Sequence, residues 1–319
     1  MKTVSLRETE PIFDRIRTDP RARVIQEPVL LILCFLLFLF TDLMIQVILF
    51  AGLMHFSEYV LHLHGTLSGS ASLILMLYFT LPCVVLCFVC CGVAERRKIR
   101  TMGLSKHRIV RDYLLGAVVG VGMLGAAVML IWLGGGVYPA GWTASADLIR
   151  RMPWGNLLLF TGGWMIQGFS EELTFRGFFM MSAGTHLKPA AAVCISSLIF
   201  SCAHLLNDGI SVLAIVNLTL FGIFAALYFL RTDSIWGVAA LHSFWNMAQG
   251  NVFGLRVSGI EVQETFFRFT QTGTHTWLNG GEFGPEGGVA VTLVLAVGTL
   301  IVFALPQRAI NPPVPSDAP

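Results

Sequence analysis

Eight apolar runs, separated by polar stretches, divide the chain. A helix needs about 20 apolar residues to cross a bilayer core. The runs are Pro28–Met54, Ala71–Ala94, Leu114–Gly134, Asn156–Ala183, Pro189–Leu206, Ile210–Leu230, Ser234–Phe253 and Val289–Leu305. They predict an all-α polytopic membrane bundle of about eight transmembrane helices. Connections between the fourth and seventh runs are very short, so these four are expected to form a compact antiparallel block. The expected division is a cytosolic N-terminal tail over 1–27, three accessory spans over 28–150 and a four-span core over 151–255. An outer loop and the last span follow over 256–306, and a Pro-rich disordered tail over 307–319. No internal repeat is visible.

Composition agrees with this class. The chain is 55% hydrophobic and 13% charged, with a mean hydropathy of +0.72. A soluble domain carries roughly 25% charged residues, so these are too few to cover a soluble surface. The net charge of +2 and the lack of a basic, aromatic-interleaved tract give no sign of nucleic-acid binding. The first 26 residues hold six Lys or Arg mixed with acids, and the apolar run after them is too long for a signal peptide.

Basic loops set the expected orientation. The loop after the second run carries Arg96, Arg97, Lys98, Arg100, Lys106, Arg108 and Arg111, whereas the loop after the third has only Arg150 and Arg151. Both termini are therefore expected in the cytosol. Lys188, Arg231 and Arg308 fit, and Arg256 and Arg268 are exceptions in a long outer loop. That loop, about 254–288, is glycine-rich and aromatic, and is expected to rest on the membrane interface rather than act as a lid. The seven cysteines all fall in apolar runs, and Cys87, Cys90 and Cys91 are read as helix-packing residues rather than a metal or redox site.

Three polar patches interrupt the apolar core. The fourth run holds Glu171, Glu172 and Arg176, and a charge at mid-bilayer depth costs at least ~2.5–3.5 kcal/mol. Glu172 and Arg176 are i,i+4 and can pair on one helix face. Glu171 is turned about 100° away, on the side of Gln167. The fifth run ends with Phe200 and His204. Cys202 lies two residues before His204 and faces away from it, which argues against a Cys–His pair. The seventh run holds His242 and Asn246 on one face, two donors at a spacing that suits a developing oxyanion. Taken singly, His204 and the His242–Asn246 pair read as packing residues, and the Glu172–Arg176 pair is open to either role. Counted from the cytosolic ends at ~1.5 Å per residue, the glutamates lie roughly 17–18 Å deep, His242 roughly 12 Å, Asn246 roughly 18 Å and His204 roughly 22 Å. This loose convergence favours one site. Asp42 and Gln46, i,i+4 in the first run, are at similar depth and are read as a separate packing pair, and Asn217 is left open.

The three patches in order, Glu-Glu-x-x-x-Arg, Phe-x-x-x-His and His-x-x-x-Asn, resemble the CAAX protease and bacteriocin-processing (CPBP/ABI) family, which includes type II prenyl endopeptidases. The resemblance covers about residues 155–253. It implies a membrane-embedded glutamate-type endopeptidase in which Glu171 and His204 activate water and His242 and Asn246 hold the oxyanion. Glu172, Arg176 and Phe200 would support them. It implies no cofactor, with zinc on Glu171, His204 and His242 as the alternative. The implied partners are a peptide or membrane-protein substrate and the lipid bilayer. The expected location is a bacterial inner membrane, where a prenylated substrate does not follow from the resemblance. The competing readings are a non-catalytic immunity or scaffold member of the family and a proton-coupled transporter.

Overall fold

A computed structural model of the chain describes residues 11–56, 69–140 and 154–306. The Pro-rich tail and the basic residues Arg150, Arg151 and Arg308 lie outside them. A short helix α1 (Pro11–Arg17) precedes α2 (Pro28–His55), whose first turn is capped by the Glu27 carboxylate on Leu30 N. The second pass is broken into α3 (Ser70–Tyr78) and α4 (Leu81–Val89), because Pro82 lacks an N–H and would clash with the carbonyl four residues earlier. Next come α5 (Ile109–Leu133), α6 (Trp154–Glu172), α7 (Pro189–Cys202), α8 (Val212–Thr232), α9 (Ile235–Met247), the short α10 (Thr276–Asn279) and α11 (Val289–Ala304).

The chain is a helical membrane bundle whose passes alternate in direction. One end gathers α1, residues 95–108, the α6–α7 turn and the α8–α9 turn, joined by Arg15 to Asp233, Ser182 to Glu95 and Trp236 to the Ser105 carbonyl. The other gathers residues 134–140, 154–156 and 204–211 with the long segment before α11. Four passes are long and apolar enough to cross a membrane: Pro28–His55, Ser70–Ala94, Ile109–Leu133 and Val212–Thr232. Helix α7, at 14 residues, reaches only ~21 Å. Helix α9 is wrapped by the others and α6 keeps its polar face inward while Leu158, Leu159 and Met165 face out, so both can carry polar groups that lipid would reject.

Three expectations change. First, the N-terminal segment is not simply a tail. Ile12, Phe13 and Ile16 of α1 are buried, and Arg17 donates to the Gly184 and Thr185 carbonyls at the end of the α6 rod. Second, Arg97 of the basic loop is buried, 2.7 Å from Glu95 and donating to the Phe178 carbonyl. Third, residues 254–288, expected as a loop, are a folded cap. Phe269–Gln271 pairs antiparallel with Val137–Pro139, Phe283 is buried, and Glu286 accepts from Ser258 and Gln249. Asn217 proves to be a packing residue, donating to the Glu286 and Gly288 carbonyls to tie this cap to α8.

Close backbone approach positions α9. A side chain at Gly116 or Gly120 of α5 would stand 1.9 Å from the Gly237 carbonyl oxygen and 2.2 Å from that of Leu241. Gly168 of α6 similarly abuts Ser243. Small residues four apart let helix backbones touch in a membrane. Gly120→Val is therefore expected to force α9 outward and destabilise the detergent-solubilised protein by about 1–3 kcal/mol, measured as a lowered thermal midpoint. Gly122→Val, where nothing lies within 4 Å, is expected to leave it unchanged.

Candidate active site

The motif helix departs from α geometry at the motif itself. From Leu173 to Met180 the rod continues as a π-helix before Met181–Ala183 closes it. Helix α9 likewise passes into a π-turn at Ala248–Val252, just beyond Asn246. A continuous α-helix to Ala183 was the natural expectation, because apolar periodicity carries no mark of a π-turn. Such widened turns occur often at functional sites.

Glu172 is the hub. It is fully buried, and its Oε1 accepts from Arg176 Nη1 at 3.0 Å and from His242 Nδ1 at 2.8 Å. The expected i,i+4 pair is thus present, and it reaches across to α9. Arg176, also fully buried, lies over the Phe200 ring at 4.5 Å from its centroid. Phe200 meets Phe175 edge-on at 5.3 Å and contacts the rings of His204 and His242 at 4.9 and 6.0 Å. This phenylalanine joins α7 to both motif helices.

Glu171 has a different environment. Its side chain is 24% exposed, its Oε1 accepts from Gln167 Nε2 at 2.5 Å, and its Oε2 lies 3.8 Å from His242 Nε2. Asn246 Nδ2 donates to Gln167 Oε1 at 3.1 Å. Gln167 therefore links Asn246 to Glu171. The i,i+4 spacing of Gln167 and Glu171 was readable in the sequence, whereas the partner across the helix gap was not. Glu171, Glu172, Arg176, His242 and Asn246 form one connected cluster.

His204 stands apart. It lies on the turn after α7 rather than within the helix, and its Nδ1 is 2.9 Å from the Phe200 carbonyl. A carbonyl only accepts, so Nδ1 is the donor of this contact, and in the neutral ring Nε2 keeps its lone pair. The phenyl ring of Phe200 contacts both His204 and His242. Cys202 is exposed and has no part in the cluster.

Among the described residues no group of three or more His, Cys, Asp or Glu side chains has an arrangement that could hold a metal ion. Cys83 and Cys87 meet Thr174 Oγ1 at 3.1 and 3.3 Å, as packing residues beside the motif.

Residues 153–248 match a protein-family model, Rce1-like: Type II CAAX prenyl endopeptidase Rce1-like. This segment is similar to that family. The Rce1-like match spans α6 to α9, the helices that carry every member of the cluster, and suggests a membrane CAAX endopeptidase acting on a peptide. No curated protein and no solved structure matches the chain.

The two glutamates should separate in mutagenesis. Glu172→Ala leaves the buried Arg176 unpaired and is expected to cost about 3–5 kcal/mol, lowering the thermal midpoint. Glu171→Gln keeps a polar group at a partly exposed position and is expected to leave that midpoint near wild type.

Proposed function

We propose that the chain is an integral-membrane endopeptidase that hydrolyses a peptide bond with water activated by Glu171 and His204. The observation that carries this is the contrast between neighbouring carboxylates. Glu172 is fully buried and its Oε1 is committed to Arg176 and His242, whereas the Glu171 side chain is 24% exposed and makes no ion pair with Arg176 within 4.0 Å. A structural network needs the first and gains nothing from the second.

In the proposed step the water oxygen bonds to the scissile carbonyl carbon while its proton passes to Glu171. His204 Nε2, left with its lone pair, accepts a hydrogen bond from the same water. The carbonyl oxygen gains negative charge, which Asn246 Nδ2 and His242 Nε2 meet as donors. Donation from Nε2 requires a proton there while Nδ1–H stays on Glu172, and the flanking carboxylates supply the countercharge for that imidazolium. Glu171 then returns its proton to the leaving nitrogen as the carbon–nitrogen bond breaks. This chemistry uses water and no metal. We place the substrate, a peptide or membrane protein, in the bilayer, and the basic end of the bundle that holds α1 in the cytosol.

Glu171→Gln and His204→Ala are each expected to lower cleavage by about 10²–10⁴-fold in a folded protein. Full activity in either variant would overturn the mechanism, as would chelator inhibition reversed by zinc. The substrate is best found by trapping on the Glu171→Gln protein in native membranes and identifying the peptides retained, then measuring their cleavage by wild-type protein in proteoliposomes.

A further inference from the structure

His204 lies on a turn past the end of α7, outside the hydrogen-bonded cluster, so its place depends on what holds that turn. Asn207 donates its backbone N–H to the His204 carbonyl at 3.0 Å and its side-chain Nδ2 to the Ser258 carbonyl of the cap at 2.9 Å. The backbones of turn and cap meet closely. A Cβ on Gly209 would stand 2.6 Å from Phe283 N, and one on Gly259 would stand 2.3 Å from the Asp208 carbonyl oxygen. Ser258 and Gly259 form the centre of a tight turn closed by paired backbone hydrogen bonds between Val257 and Ile260. Both have positive φ, 47° and 90°, a conformation that suits Asn-Gly and strains serine. The buried Glu286 carboxylate restrains that serine. Its Oε2 accepts from Ser258 N at 2.7 Å and from Ser258 Oγ at 2.8 Å. The same oxygen accepts from Gln249 Nε2 at 3.2 Å, and Gln249 also donates to the Arg256 carbonyl at 2.6 Å. Gln249 is fully buried in the π-turn that follows Asn246 on α9.

We propose that Glu286 is a positioning residue of the site, and that the chain Gln249–Glu286–Ser258–Asn207 sets His204 in a fixed place relative to α9. Glu171 is tied to α9 through Gln167 and Asn246, and His204 is tied to it through the cap. Helix α9 is thus the common frame for both groups that activate water. Two groups that share one water must keep their separation, and a displacement of about 1 Å can cost about 10²-fold in rate. Glu286 acts only through this chain of hydrogen bonds and takes no part in proton transfer. It lies beyond the matched segment 153–248, so the cap becomes part of the working site. The effect on cleavage rests on the peptidase reading, but the link from Glu286 to the His204 turn does not.

The test is hydrogen–deuterium exchange with peptide mapping on the full-length protein in nanodiscs, followed by kinetics on a peptide retained by the Glu171→Gln protein. Glu286→Ala is expected to remove protection from the amides of both 248–252 and 204–211, and Asn207→Ala from those of 204–211 alone. Glu286→Gln keeps an acceptor oxygen for Ser258 and is expected to restore protection. A loss in Glu286→Ala confined to 248–258 would overturn the proposal. With the retained peptide, Asn207→Ala and Glu286→Ala are each expected to lower kcat by up to about 10²-fold with KM unchanged. The double variant is expected to fall no further than the lower single one, because both cut the same chain. Additive losses would overturn the link. Where Glu286→Ala does not fold, Asn207→Ala carries the test, and unchanged protection of 204–211 or an unchanged kcat overturns the proposal. A wild-type protein that cleaves nothing would sink the peptidase reading while the exchange pattern still decides the link.

Discussion

The bundle depends on the two hydrogen bonds that meet at Glu172 Oε1, one from Arg176 and one from His242. Both donors and the acceptor are buried in a chain with very few charges to spare. A carboxylate in that setting is tolerable only because it is paired and hydrogen-bonded. The same oxygen joins α6 to α9, so the charge balance and the helix arrangement are one constraint. Whatever displaces α9 takes His242 from Glu172, and whatever removes Glu172 leaves Arg176 unpaired.

The surrounding fold serves that junction. Gly116 and Gly120 on one side and Gly168 on the other let α9 lie against the backbones of α5 and α6, which brings His242 and Asn246 to the glutamates. The rod of α6 is held at its far end by α1, whose Arg17 satisfies the carbonyls of Gly184 and Thr185. Helix ends leave such carbonyls without partners, and a burial of this kind needs a donor for them. The cap over residues 254–288 closes the opposite end and contacts the turn that carries His204 through Asn207 and Ser258.

Much of this was legible in the apolar pattern. The runs anticipated the helices within a few residues, because a bilayer-length helix leaves a long and uniform signature. The i,i+4 spacings of Glu172 with Arg176, Gln167 with Glu171 and Asp42 with Gln46 each became a hydrogen bond, since neighbours on one helix face need no tertiary information to meet. The depth count also singled out His204, and it is the one candidate outside the connected cluster. The reading was weaker for Arg97 and α1. A charge in a basic loop gives no sign of being buried, and seven residues of mixed polarity give little periodicity.

The sequence by itself determined the class of the molecule, its helices, and which polar residues share a helix face, because these follow from local periodicity and the cost of charge in lipid. The tertiary structure alone decided which of those faces meet. It set His242 between the two glutamates, bridged Asn246 to Glu171 through Gln167, and packed Phe200 against both His204 and His242. Those contacts arise from glycine-mediated backbone approach, π-turns and aromatic packing between helices distant in the chain, and no local pattern of residues encodes them.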